Sequence, residues 1–337
     1  MYNWLRKSQV FWDVLAKLSA FYPCACLKKF PRNLIIELTN SCNLRCPVCP
    51  THFAMKREKG FMDFDLFKSI IDEFSGFKIK PKISMNFAGE PLLHENACEF
   101  VRYANSKGHK TFISTNATAL TKDLSKKLIE YGLDSIHLCI DGITKKSHEA
   151  YRVGSKFEVV KKNIEDFILT RESLGKSRPS VSIQTLLTSF SENEMDQIIE
   201  WAKDIGADKV NFKSLSMGSY TTKQMREQYG YLLPEKEKLR RGKTGIYKTV
   251  CTSVLNHAVV YWNGDLGLCC VDFNNVVKLP NIKEKGFIKT FISEEVVQKR
   301  KSGLRKRFDL CKKCSLANAD FMGVTVDLNK ASRNGKT

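Results

Sequence analysis

The sequence predicts an α/β protein in two parts, a unit of parallel strands and helices followed by a smaller cysteine-bearing unit. Three observations predict it. Six short apolar runs alternate with amphipathic stretches over residues 33–215. A polar connection then leads to Asn263-Gly264, a strong hairpin signal between two apolar runs. Most of the 12 cysteines fall in groups.

Size and composition agree with this. A chain of 337 residues suits about two folded units, and 42% apolar residues suffice for a core. No apolar run reaches the ~18 residues of a transmembrane helix. The 21 Phe, 10 Tyr and 4 Trp exclude wholesale disorder. The net charge of +19 favours anionic partners such as phosphates, nucleic acid or an acidic lipid surface. The charge is spread along the chain, so a solvated lysine-rich surface accounts for it equally.

In chain order, residues 1–30 place Trp4, Phe11, Leu15, Leu18 and Tyr22 at helical spacing, and Pro23 ends the pattern. This amphipathic helix caps the next domain's core or makes a peripheral membrane contact. Residues 31–215 hold candidate strands at Leu34–Leu38, Ile83–Phe87, Thr111–Ser114, Ser135–Ile140, Val181–Leu186 and Lys209–Lys213. Candidate helices lie between them at 63–74, 93–107, 121–131, 157–173 and 193–205. Strands bridged by helices pair in parallel, and chemistry then sits at their carboxyl ends. Residues 216–250 read as a connection. Residues 251–320 form the second unit, with strands Val259–Trp262 and Leu266–Val271 and a basic helical stretch over Glu294–Arg307. Residues 321–337 read as a tail that frays from Lys330 onward.

The first apolar stretch is broken by Asp13 and Lys17 and lacks a cleavage site, so a cytoplasmic location is expected. Clustered cysteines there hold metal or do redox chemistry rather than form disulfides. Cys42, Cys46 and Cys49 share one loop after the first strand. Thiolates suit zinc or iron–sulfur clusters. A structural zinc site wants a fourth ligand, and nearby only His52 is on offer. A [4Fe–4S] cluster held by three cysteines leaves one iron open for chemistry.

In spacing and position this loop resembles the signature of the radical S-adenosylmethionine (SAM) enzymes, with Val48 at the family's hydrophobic position. The resemblance implies a partial (β/α)6 barrel of TIM type. Ala88-Gly89-Glu90-Pro91 resembles the family's Gly-Gly-Glu-Pro, which receives the SAM amino group; Ala88 departs from it. Ser114-Thr115-Asn116 resembles Thr-Asn-Gly, with Ala117 in place of Gly. Cys139-Ile140-Asp141-Gly142 resembles Ser-Ile-Asp-Gly. Tyr151-Arg152-Val153-Gly154 with Phe157 resembles a stretch whose arginine pairs with the SAM carboxylate, a job that suits a guanidinium fork. Gln184 would add a polar contact, and Val210-Asn211-Phe212 would bracket the adenine. In such enzymes SAM chelates the open iron, one electron cleaves it, and a 5′-deoxyadenosyl radical abstracts a substrate hydrogen.

Cys251 is followed by twelve residues, Gly264, four more and Cys269, and Cys311-Lys312-Lys313-Cys314 closes the set. Four thiolates saturate either a zinc ribbon or an iron–sulfur cluster. The pattern resembles the auxiliary SPASM domain in its single-cluster twitch form, since no cysteine follows Cys314. That implies one auxiliary [4Fe–4S] cluster. Among the other thiols, Cys139 is the candidate hydrogen donor, with a small buried core residue as the plainer reading. Cys270 should point away from its neighbouring ligand by strand alternation. Cys98 reads as buried, and Cys24 and Cys26 lack a partner.

The single-cluster layout resembles the inosamine dehydrogenase type. It implies a radical SAM oxidoreductase or epimerase acting on a small polar or anionic metabolite, sugar- or aminocyclitol-like, fed by a reductant such as flavodoxin or ferredoxin. The alternative is a maturase of a ribosomally made peptide; the ~30 residues before the barrel are short of a leader-binding domain. A non-catalytic iron–sulfur protein would not need Glu90, Asn116, Asp141 and Arg152. No RNA-binding module with interleaved aromatics is present, so nucleic acid is not an expected partner. The pattern does not speak to oligomeric state.

Overall fold

The computed structural model describes residues 14, 30–218, 220–240, 248–312, 314 and 323–331. The helix expected within 1–30, with Cys24 and Cys26, lies outside the described residues, as does the chain from 332 onward. Among the described residues no helix is long and apolar enough to cross a membrane.

The six expected strands form: β1 (Asn33–Ile36), β2 (Lys82–Ser84), β3 (Thr111–Thr115), β4 (Ser135–Cys139), β5 (Ser180–Leu187) and β6 (Lys209–Ser214). They pair in parallel in sequence order. The five main connecting helices also form, at Phe64–Asp72, Ala97–Ser106, Lys122–Glu130, Phe157–Ser173 and Met195–Asp204. Two begin at capping side chains that take an otherwise unsatisfied amide. Asp63 accepts from Leu66 N at 2.9 Å and Thr121 from Leu124 N at 3.2 Å.

Alternation along the strands sorts the sheet's two faces. Leu34, Ile36, Ile83, Ile113, Ile136, Leu138, Val181, Ile183, Val210 and Phe212 are all buried in one core beneath the helices. The residues between them, including Lys82, Ser84, Ser135, His137, Ser182, Lys209, Asn211 and Lys213, line a cavity on the other face. The result is a partial barrel with a polar interior.

The second unit departs from expectation. Its hairpin forms, as β7 (His257–Val260) and β8 (Leu266–Gly267), but β7 pairs in parallel with β1 and extends the main sheet. The expected strand over Leu266–Val271 stops at Gly267 because Asp272 folds the chain back, accepting from Val276 N at 2.7 Å and Val277 N at 3.1 Å. At the far edge, β9 (Val324–Asp327), in the segment read as a tail, runs antiparallel to β6. The order is β8-β7-β1-β2-β3-β4-β5-β6-β9. Among its described residues the connection holds one helix, Lys223–Tyr229, and two short 3-10 turns.

A buried ion pair clamps the two cysteine regions together. Glu37, fully buried just after β1, receives Arg57 in a bidentate pair of 2.8 and 2.6 Å. Arg57 Nε donates to Phe273 O at 2.7 Å, and its guanidinium lies 4.2 Å from the Tyr261 ring centroid. Lys56 N donates to Asn274 Oδ1 and Asn274 Nδ2 to Ala54 O, each at 2.7 Å. Removing one partner strands the other as a buried charge. Arg57→Ala should therefore lose about 3–5 kcal/mol in urea unfolding. Lys126→Ala, exposed on the helix Lys122–Glu130, should stay within about 0.5 kcal/mol of the parent.

Candidate active site

Cys42, Cys46 and Cys49 lie in the loop that leaves β1. Cys49 N donates to Cys46 O at 3.1 Å, folding the last two thiols onto one tight turn, and the helix Pro50–Phe53 starts directly after it. Val48 is buried with Leu44, Tyr151 and Leu215, which anchors the loop from below. Burial pushes the Cys42 thiol up and Cys46 up to about 12, while Arg152 pulls Cys46 back. Thiols this costly to ionise alone suit a cationic partner. Three of them on one loop fit a cluster with one open iron.

Gly89 brings the end of the second connection against this loop. Its φ is +74°, and a Cβ there would sit 2.5 Å from Ser41 O and 2.6 Å from Thr39 O. Only glycine fits such a turn and approach. Glu90 N then donates to Ser41 O at 2.8 Å. The Glu90 carboxylate is turned inward: it accepts from Thr115 Oγ1 and Asn116 N, both at 2.7 Å, and from Leu92 N at 3.1 Å. Burial still pushes its pKa up. A carboxylate has about four lone-pair sites, so about one remains for a ligand. Asn116 stands beside the cysteine loop, its Nδ2 3.9 Å from Cys42 Sγ and donating to Asn43 Oδ1 at 3.1 Å.

Asp141 and Arg152 are brought together directly. Arg152 Nε donates to Asp141 Oδ2 at 2.5 Å, and Leu186 N donates to Oδ1 at 2.8 Å. Asp141 N donates to His148 Nδ1 at 3.2 Å, so that imidazole carries its proton on Nε2 and donates to Ser155 Oγ at 2.9 Å. Burial works against the Arg152 charge, but the Asp141 carboxylate, the foremost opposing influence, helps to hold it, and its pKa is raised. Arg152 thus links a strand-end carboxylate to the cysteine loop.

The interior face continues the site. Cys139 Sγ lies 3.5 Å from Ser114 Oγ and receives Gln184 Nε2 at 3.4 Å. Gln184 Oε1 is 3.1 Å from His137 Nδ1, Asn211 Nδ2 is 3.3 Å from His137 Nε2, and Thr325 Oγ1 donates to Asn211 Oδ1 at 2.8 Å. This polar line crosses β3 to β6 and reaches β9. Gln184 is therefore engaged with protein partners. Val210 and Phe212 belong to the apolar core, and of that triplet only Asn211 has its side chain in the polar line, because alternation turns its neighbours away. His137 and the interior lysines were not singled out from the sequence, although their period-two spacing is visible there.

In the second unit, burial pushes Cys269 well up and Cys311 up to about 11; Cys251 is a nearby charge for both. Cys270 differs from expectation. Burial pushes it up to about 11, and Cys251 and Cys314 are its next influences, so it lies in the neighbourhood of the other thiols. Strand alternation ends at Gly267 and does not govern it. Cys98 is buried, its thiol 4.0 Å from Leu124 O and away from both groups.

A parallel half-barrel with a three-thiol loop over its strand ends, and a second thiol group on an added hairpin, defines an iron–sulfur radical enzyme class. Residues 36–202 match the model of the radical SAM superfamily, and residues 251–315 match that of an iron–sulfur cluster-binding domain, SPASM. The chain belongs to the radical SAM superfamily and carries a SPASM domain. Such a chain uses a [4Fe–4S] cluster, SAM and an auxiliary iron–sulfur cluster. It is 25% identical over 323 residues to the "tungsten-containing aldehyde ferredoxin oxidoreductase cofactor-modifying protein" of Pyrococcus furiosus, covering 87% of this chain and 90% of that one. Its fold resembles BtrN in complex with AdoMet and 2-DOIA (TM-score 0.55, 22% identity, 85% of this chain and 93% of that one). It also resembles Streptococcus suis SuiB bound to the precursor peptide SuiA (TM-score 0.62, 17% identity, 86% and 70%).

Reconstituted under anaerobic conditions, the chain should hold about eight iron atoms, as two four-iron clusters require. Cys251→Ala with Cys311→Ala should leave about four. A wild-type value near four by iron analysis would contradict the auxiliary assignment.

Proposed function

We propose that this protein is a radical SAM oxidoreductase acting on a small polar or anionic metabolite, with Cys42, Cys46 and Cys49 holding the SAM-binding cluster. Cys251, Cys269, Cys311 and Cys314 hold one auxiliary [4Fe–4S] cluster that takes or returns an electron. The observation that carries this is the placement of three cysteines on one loop, with Asn116 Nδ2 beside Cys42 and the Asp141–Arg152 pair acting on Cys46, at the carboxyl ends of neighbouring parallel strands. The relative in Pyrococcus furiosus, matched over 90% of its length, is named for modifying a cofactor, which favours a small molecule over a peptide.

When bound, the reduced cluster supplies the electron that splits SAM into methionine and a 5′-deoxyadenosyl radical. The chain's residues position and shield. Gly89 leaves the backbone of its loop free to approach the cofactor, and the remaining acceptor site of Glu90 suits its amino group. Arg152, held charged and aimed by Asp141, suits its carboxylate. Asn116 and Val48 fix the cysteine loop. Gln184 serves the cofactor indirectly, by orienting Cys139 and His137. Flavodoxin or ferredoxin is the class of reductant this chemistry takes.

Cys139 bears on which reaction follows. Burial raises its pKa and keeps the S–H intact, the form a hydrogen-atom donor needs. It lies on the interior face, one register step beyond His137. Donation by Cys139 makes the reaction an epimerisation; an inert Cys139 leaves it a dehydrogenation through the auxiliary cluster.

With dithionite, the reconstituted chain should convert SAM to 5′-deoxyadenosine and methionine, and the triple change of Cys42, Cys46 and Cys49 to Ala should abolish this in a chromatographic assay. Persistence of cleavage in the triple variant would sink the assignment. In D2O, an epimerised product should carry one deuterium with wild type and none with Cys139→Ser. A dehydrogenated product formed equally by both proteins assigns Cys139 to packing alone.

A further inference from the structure

One row of side chains on the interior face holds a hydrogen-bond chain that SAM cleavage does not require. In register, Ser114 lies beside His137, Cys139 beside Gln184, Gln184 beside Asn211, and Asn211 beside Thr325. The row crosses from β3 to the edge strand β9. His137 and Cys139 are two residues apart on β4, so alternation puts both on the same face.

The chain has a direction. Thr325 Oγ1, at the exposed edge, donates to Asn211 Oδ1 at 2.8 Å. That turns Asn211 Nδ2 toward His137 Nε2, 3.3 Å away. An amide nitrogen only donates, so Nε2 is the bare ring nitrogen and the proton sits on Nδ1. Nδ1 donates to Gln184 Oε1 at 3.1 Å, and Gln184 Nε2 then donates to Cys139 Sγ at 3.4 Å. The ring is neutral: burial, ahead of Lys213, pushes its pKa down to about 4. Phe112 packs edge-on against the imidazole, with 4.7 Å between centroids, and restrains its plane. The opposite direction, with both amides turned over, would put the proton on Nε2 and make the sulfur donate to Gln184 Oε1.

We infer that His137 and Gln184 are positioning residues for the Cys139 hydrogen, set from the sheet edge by Thr325: the Nδ1–H tautomer aims the Gln184 amine at the sulfur and keeps the S–H off β5. The hydrogen is then left on the side of β3, where Ser114 Oγ stands 3.5 Å from the sulfur. β3 leads directly to Asn116, beside the first cysteine loop. A hydrogen atom passes efficiently only along a bond aligned with its acceptor, so the direction of the chain decides whether Cys139 is ready to donate. This deepens the reading of Cys139 as the hydrogen donor and rests on it.

The test is nitrogen-15 resonance of the reconstituted chain, its clusters oxidised and its histidines labelled; the signals lost in His137→Phe assign the ring. At neutral pH, Nε2 should resonate as a bare ring nitrogen and Nδ1 as a protonated one. Thr325→Val, on the exposed edge, should move both resonances toward an average of the two tautomers, and Thr325→Ser should return them to their wild-type positions. The infrared S–H band that Cys139→Ser removes should lie where a thiol donating no strong hydrogen bond absorbs, and Thr325→Val should shift it to lower frequency. A protonated Nε2, or resonances and an S–H band that Thr325→Val leaves unmoved, overturns the inference. The product formed in D2O separates the two claims. Deuterium delivered by Cys139 from a chain with a protonated Nε2 overturns the positioning role alone. An Nδ1–H ring with no deuterium from Cys139 overturns the donor reading, and the role built on it.

Discussion

The molecule depends on a sheet whose two faces differ in polarity. Strand side chains alternate, so a core-facing set such as Ile136, Leu138, Ile183 and Phe212 forces an interior set such as His137, Ser182, Gln184 and Asn211. Helices cover the first set, and the second lines a cavity whose described wall is mostly polar. Parallel pairing then places every strand end on one rim, which is where the cysteine loop, Glu90, Asn116 and Asp141 gather. A one-residue slip in any strand would exchange the faces and destroy both core and chamber.

The second constraint is the Glu37–Arg57 clamp. The cysteine loop and the auxiliary hairpin are more than two hundred residues apart in sequence, yet Arg57 touches Glu37, Tyr261 and Phe273 at once. Gly60 belongs to the same contact: a Cβ there would lie 2.5 Å from the Trp262 ring. A desolvated pair of this kind gives geometric definition more than net stability. It fixes the hairpin, and with it Cys269, relative to the first thiol loop.

Much of this was legible in the residues. Local patterns locate the strands because alternation and capping are short-range, and the glycine at 89 and the cysteine spacings announce their own backbone needs. Long-range choices carry no local signal. The pairing of β7 with β1 and of β9 with β6 joins segments that read as a separate unit and a tail. Strand alternation does not reach Cys270, because the strand ends early at Gly267 and Asp272 folds the chain back. Partners inside the site were equally hidden: Arg152 is committed to Asp141, and Gln184 to Cys139 and His137, through pairings visible only in three dimensions.

The account's central claim is that the loop of Cys42, Cys46 and Cys49 supports an iron with an open position for SAM. Electron paramagnetic resonance tests it most directly, on a dithionite-reduced chain in which Cys251, Cys269, Cys311 and Cys314 are replaced by Ala. A single [4Fe–4S]+ signal whose g-values shift when SAM is added is the expected result. A signal indifferent to SAM, or no cluster signal at all, would contradict it.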